Sequence, residues 1–209
     1  RSDTNSNIQI RNVISSSHSC YALYTNGHSF GNHTTTKNSN DYLIPNDGVI
    51  LSTGNPLDIN DNDLSETSTN FNMEPAKVTL ESQLTPSNSQ VYDPCYIQFE
   101  FLCPSSTSDE TGEDDNDEDT TLDIAYVFGS EEYSNDDDAH NDIFGIFLNE
   151  QNIALVPDST LPVTINNINN QRNSKYYINN ELTGRVDKTS PFPNIEADGF
   201  TITLHAIGK

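Results

Sequence analysis

The chain has 209 residues, 33% of them hydrophobic, and a formal net charge of −23 from 32 acidic and nine basic residues. So negative a field disfavours binding to nucleic acid or to an anionic membrane surface, and it favours cations and basic partners. No apolar run reaches the roughly 18 residues of a transmembrane helix, so we expect no direct membrane insertion. The length suits one domain, which we predict to span residues 1–209.

Short apolar segments recur along the chain and read as strands. In chain order they are residues 8–14, 47–54, 96–102, 122–128, 143–148, 153–156, 163–168, 176–178 and 199–207. We expect residues 47–54 to form a turn and then a buried strand, and Asp198-Gly199 to form a tight turn before the last strand. No amphipathic helix lies between the segments. The pattern therefore predicts an all-β fold, an antiparallel β-sandwich or jelly roll with long acidic loops and little helix.

An acidic insertion at residues 104–121 separates two of these predicted strands. Eight carboxylates lie between Asp109 and Asp119, and Ser and Thr residues surround them. Such low-complexity composition favours a solvated loop. Loose binding of cations or docking of a basic partner is the alternative.

The three cysteines restrict disulfide pairing. If one straight strand joins Cys95 to Cys103, they lie roughly 26 Å apart at about 3.3 Å per residue. A disulfide needs Cα atoms within about 7 Å of each other. We therefore predict that Cys20 pairs with Cys95 or with Cys103, which would indicate an oxidising compartment. Three reduced, buried thiols in a cytosolic protein are the alternative.

The segment from residue 126 to residue 148 is the most informative part of the chain. Two apolar runs flank a loop in which six carboxylates fall within twelve residues and no Lys or Arg intervenes: Glu131, Glu132, Asp136, Asp137, Asp138 and Asp142. Like charges this close repel each other unless water, salt or a cation offsets them. We expect Glu131 and Glu132 to end one strand and Asn141 and Asp142 to begin its antiparallel neighbour.

A calcium site follows from that arrangement, because calcium takes six to eight oxygen ligands. Its predicted ligands are Glu131, Glu132, Asn141 and Asp142, joined by Asp138 or Asp136. A solvated acidic loop is the alternative.

Other residues could contribute to binding. Asp58 and Asp63 lie in a polar loop that fails the EF-hand pattern but could supply ligands to a shared site. Tyr133 could be an aromatic platform for a sugar, or equally a core residue. Asp136 and His140 are further candidates for ligand contact, with a transition-metal role for His140 as a minor alternative and a surface histidine as the default.

Seven blocks of the sequence together resemble a known family. They are residues 47–55, 126–133, 141–148, 152–157, 162–169, 176–180 and 198–204. In order and spacing they are similar to successive blocks of the choice-of-anchor L domain, over roughly residues 8–207. The resemblance implies a secreted or surface-displayed domain, often part of a larger protein whose anchor varies. It implies no catalytic mechanism.

The leading hypothesis is a secreted or cell-surface module that binds calcium and recognises an extracellular glycan, matrix polymer or surface protein. We expect it not to be an enzyme. One alternative is a passive structural component of a cell wall or extracellular matrix, whose acidic surface adsorbs cations. The other is a polysaccharide hydrolase that uses Glu131 and Asp142 as its two carboxyl groups.

Overall fold

The computed structural model describes residues 9–16, 20–25, 47–54, 56, 80, 84, 91–92, 94–102, 121–134, 141–180 and 197–209. Every strand pair in these ranges is antiparallel. The helical structure consists of two short 3₁₀ turns, Glu131–Ser134 and Ser174–Tyr176, and an α-helical position at Leu80, whose carbonyl accepts the Leu84 N–H. The predicted all-β fold is confirmed. The strands form two- and three-stranded sheets, and their arrangement as a sandwich or jelly roll stays a prediction.

Four of the described strands lie in the first half of the chain. They are β1 (Gln9–Ser15), β2 (Tyr21–Tyr24), β3 (Gly48–Leu51) and β4 (Ile97–Leu102). β1 pairs with β4, and β2 pairs with β3. The β1–β4 register shifts between Arg11 and Ile14, and Asn12 there has a φ of 50°, which marks a β-bulge.

A disulfide joins these two sheets. Of the two pairings left open by the sequence, the structure contains Cys20–Cys95, with the Cα atoms 5.9 Å apart. Cys20 is fully buried, and the Ser16 hydroxyl lies 2.8 Å from its sulfur. The Ser16 hydroxyl also accepts a hydrogen bond from the Tyr96 backbone N–H within the β1–β4 pair, so its contact with Cys20 adds a hydrogen bond between the sheets beside the disulfide. Cys103 lies outside the described residues.

Nine of the described strands lie in the second half of the chain. They are β5 (Leu122–Tyr126), β6 (Gly129–Ser130), β7 (Ile143–Phe144), β8 (Phe147–Leu148), β9 (Gln151–Asn152), β10 (Val163–Thr164), β11 (Tyr177–Asn179), β12 (Gly199–Thr201) and β13 (Leu204–Gly208). The pairs are β5 with β13, β7 with β10, and β8 with β9. β12 lies between β11 and β6 in a three-stranded sheet.

The hydrophobic core lies within this second half. Alternating residues of β5 and β13 point inward, so Tyr126, Leu204 and Ala206 are buried while Asp123 and His205 are exposed. The buried cluster consists of Tyr126, Phe128, Ala154, Val156, Val163, Ile165, Ile168, Leu204 and Ala206. The first-half strands contribute none of these residues.

Several predicted strands are shorter than the apolar pattern indicates. Residues 143–148 divide into β7 and β8, because the Asn152 side chain accepts the Ile146 N–H and turns the chain there. Residues 199–207 likewise divide into β12 and β13.

The prediction of a strand at residues 153–156 is wrong. These residues form one isolated bridge, Leu155 with Pro162, while Ala154 and Val156 enter the core. The strand predicted within residues 47–54 is present as β3, but its predicted burial is wrong, since Val49 is 47% exposed. Apolar composition therefore did not determine strand pairing at residues 153–156 or burial at residues 48–51.

No helix in the described part of the chain is long and apolar enough to span a bilayer. The acidic insertion lies outside the described residues, except for Thr121, which is exposed.

Candidate functional site

The predicted calcium site begins where β6 ends. Glu131 and Glu132 do not end a strand, because the chain turns after Ser130 into the 3₁₀ turn Glu131–Ser134. β6 pairs with β12, whereas β7, which follows Asn141 and Asp142, pairs with β10. The antiparallel neighbours predicted from the sequence are therefore wrong: β6 and β7 belong to different sheets.

A serine nevertheless brings the two predicted ligand segments together. The Ser130 hydroxyl donates to Asp142 Oδ2 at 2.6 Å and accepts the backbone N–H of Glu132 at 3.0 Å. The Asp198 N–H donates to the Ser130 carbonyl at 3.0 Å, so β12 holds the serine in place. One buried hydroxyl thus fixes the Asp142 carboxylate beside the first turn of the acidic segment.

Asn141 and Asp142 are anchored from the other side as well. The Asn141 side-chain oxygen accepts the Asn166 N–H at 3.0 Å, and the Asp142 carbonyl accepts the Ile165 N–H at 3.2 Å. The predicted ligand Asn141 therefore has a structural role, since its amide oxygen positions the turn after β10. Asp142 is exposed, whereas Glu131 and Glu132 are half-buried.

Tyr133 belongs to the interior. Its ring centroid lies 4.9 Å from that of Tyr177 and 6.3 Å from that of Phe128, and the ring also packs against Gly199. Burial, followed by the nearby Tyr177 and Asp142, raises the pKa of the phenol well above its usual range. Of the two roles predicted for this side chain, the packing favours the core residue over the exposed sugar platform.

Gly199 makes that packing possible, and it corrects one prediction. Asp198-Gly199 is no tight turn: Gly199 lies in β12, where it pairs with Asn179 on one side and Ser130 on the other. A Cβ at this position would lie 2.7 Å from ring atoms of Tyr133 and of Tyr177. The glycine is therefore required by the close approach of two rings to the strand.

The remaining candidate residues lie outside the described residues. They are Asp58, Asp63, Asp136, Asp138 and His140. Within the described ranges, no group of three or more His, Cys, Asp or Glu side chains is arranged to hold a metal ion. The calcium site therefore stays a prediction.

Sequence reasoning missed Ser130 as the organising residue. Its only local signal was a hydroxyl residue directly before two carboxylates, at the end of an apolar run. The acceptor, Asp142, is twelve residues away, and the strand that holds Ser130 is contributed by residues 199–201. Such contacts depend on the tertiary fold.

Comparison with known proteins assigns the family. The family model of the choice-of-anchor L domain matches residues 2–209. The chain belongs to the choice-of-anchor L domain family. No curated protein and no solved structure matches it. Membership implies a surface-anchored or secreted β-domain, which agrees with the disulfide, because disulfides persist in oxidising compartments.

Proposed function

We propose that this choice-of-anchor L domain is an extracellular binding module that takes up calcium between Tyr133 and Ile143. The calcium-loaded segment would bind a glycan, a matrix polymer or another surface protein. The observation that carries the proposal is the hydrogen bond from Ser130 to Asp142, which holds a carboxylate from one end of the acidic segment beside the other end.

The chemistry of the segment favours a hard cation. Glu131, Glu132 and Asp142 supply carboxylates at its two ends, and three more aspartates lie between them in the sequence. Calcium prefers carboxylate and carbonyl oxygens and tolerates irregular geometry. Its binding would offset the repulsion among these groups and order the segment. Asp58 and Asp63, far from this segment in the sequence, are proposed as additional ligands.

We propose binding rather than catalysis. A hydrolase would need two carboxyl groups free to reach the scissile bond. The Asp142 carboxylate instead accepts a short hydrogen bond from a buried serine, which suits a structural or ligand-holding group. The partner is proposed to be extracellular, in keeping with the family, and the domain to be part of a larger anchored protein.

Thermal unfolding tests the calcium site directly. The protein is unfolded in EDTA and in millimolar calcium, together with Glu131→Gln and Asp142→Asn. Free calcium at a hundred times the Kd of the site would stabilise the fold by about 2.7 kcal/mol, which would raise the Tm by about 5–10 °C. We expect this rise in the parent protein and its loss in both variants.

Matched variants separate a site from a general charge effect. Glu150→Gln and Asp158→Asn remove exposed carboxylates from turns elsewhere in the domain, and they should keep the calcium-dependent rise. Equal shifts in all four variants, or a shift of the same size produced by sodium chloride at the same ionic strength, would contradict the specific site and favour the passive structural component. If the site holds, binding to glycan and matrix polymers is compared with calcium and with EDTA.

A further inference from the structure

We draw no further inference here: the strongest candidate, the exposed apolar face of the β1–β4 sheet around Ile10, Val13 and Phe99, is unpartnered among the described residues, and nothing in the structure shows what covers it.

Discussion

At the scale of the residue, Gly199 decides how closely the rings of Tyr133 and Tyr177 approach the central strand β12. Replacement by alanine would place a Cβ 2.7 Å from both rings, and the contacted atoms include the base of the Tyr133 ring. The ring or the strand must move, so we expect Gly199→Ala to lower the free energy of unfolding by about 1–3 kcal/mol. Urea denaturation measures the loss.

A double-mutant cycle identifies the cause. If the clash with the ring produces the loss, Gly199→Ala combined with Tyr177→Leu should cost less than the sum of the single variants. Additive costs would instead indicate that the Tyr133 ring or the backbone of β12, rather than the Tyr177 ring, resists the alanine.

Among the residues that the structure describes, two buried phenols, those of Tyr126 and Tyr133, have hydroxyls without a hydrogen-bond partner. Removing an unpaired buried hydroxyl removes its desolvation cost. We therefore expect Tyr133→Phe to leave the free energy of unfolding at pH 7 within about 1 kcal/mol of the parent value, or to raise it. A larger loss in urea denaturation would show that the hydroxyl has a partner.

The same tyrosines make the fold sensitive to alkali. Burial raises the pKa of both phenols above the value of about 10 in the unfolded chain. In the folded protein the two phenols therefore stay protonated to a higher pH than in the unfolded chain. The free energy of unfolding is unaffected by them below pH 10 and falls as the pH rises beyond it. Tyr133→Phe should therefore make the fall in the free energy of unfolding less steep, which urea denaturation over a series of alkaline pH values measures.

At the scale of the element, the Cys20–Cys95 disulfide connects two sheets that add nothing to the main buried cluster. A two-stranded sheet is marginally stable without packing or a covalent link. We expect Cys95→Ser to lower the free energy of unfolding by about 2–5 kcal/mol, the usual effect of removing a native disulfide. Thermal unfolding of the oxidised proteins measures it.

Cys103→Ser is the control, because it leaves the Cys20–Cys95 bond intact. If Cys103→Ser lowers the free energy of unfolding by a similar amount, the effect of Cys95→Ser does not come from the lost disulfide. If Cys95→Ser unfolds in two separate transitions, the first-half sheets that the disulfide joins and the second-half core are independent folding units.

At the scale of the whole molecule, the net charge of −23 opposes compaction. Like charges repel across the folded surface, and salt screens them over a Debye length of about 10 Å at 0.1 M. We expect the Tm to rise steadily between low salt and about 0.3 M, equally in sodium and potassium chloride. A difference between the two salts would indicate specific ion binding instead of screening.

What the sequence determined by itself was local and compositional. Short β-branched and aromatic runs without helical periodicity were enough to predict an all-β fold, since backbone preference and alternation are properties of neighbouring residues. The order and spacing of the seven sequence blocks were enough to predict the family. The distance that a straight strand spans excluded a disulfide between Cys95 and Cys103 and left these two cysteines as possible partners of Cys20.

Only the tertiary structure decided which segments meet. In the structure, Cys95 is the partner of Cys20, and β6 pairs with β12 and not with β7. Gly199 belongs to a central strand and not to a turn. The tertiary structure also places the Ser130 hydroxyl against Asp142. The physical reason is common to all four: each contact joins residues far apart in sequence or on different strands. Strand pairing is governed by how side chains fill the core around Tyr126 and Val156, which no local pattern records.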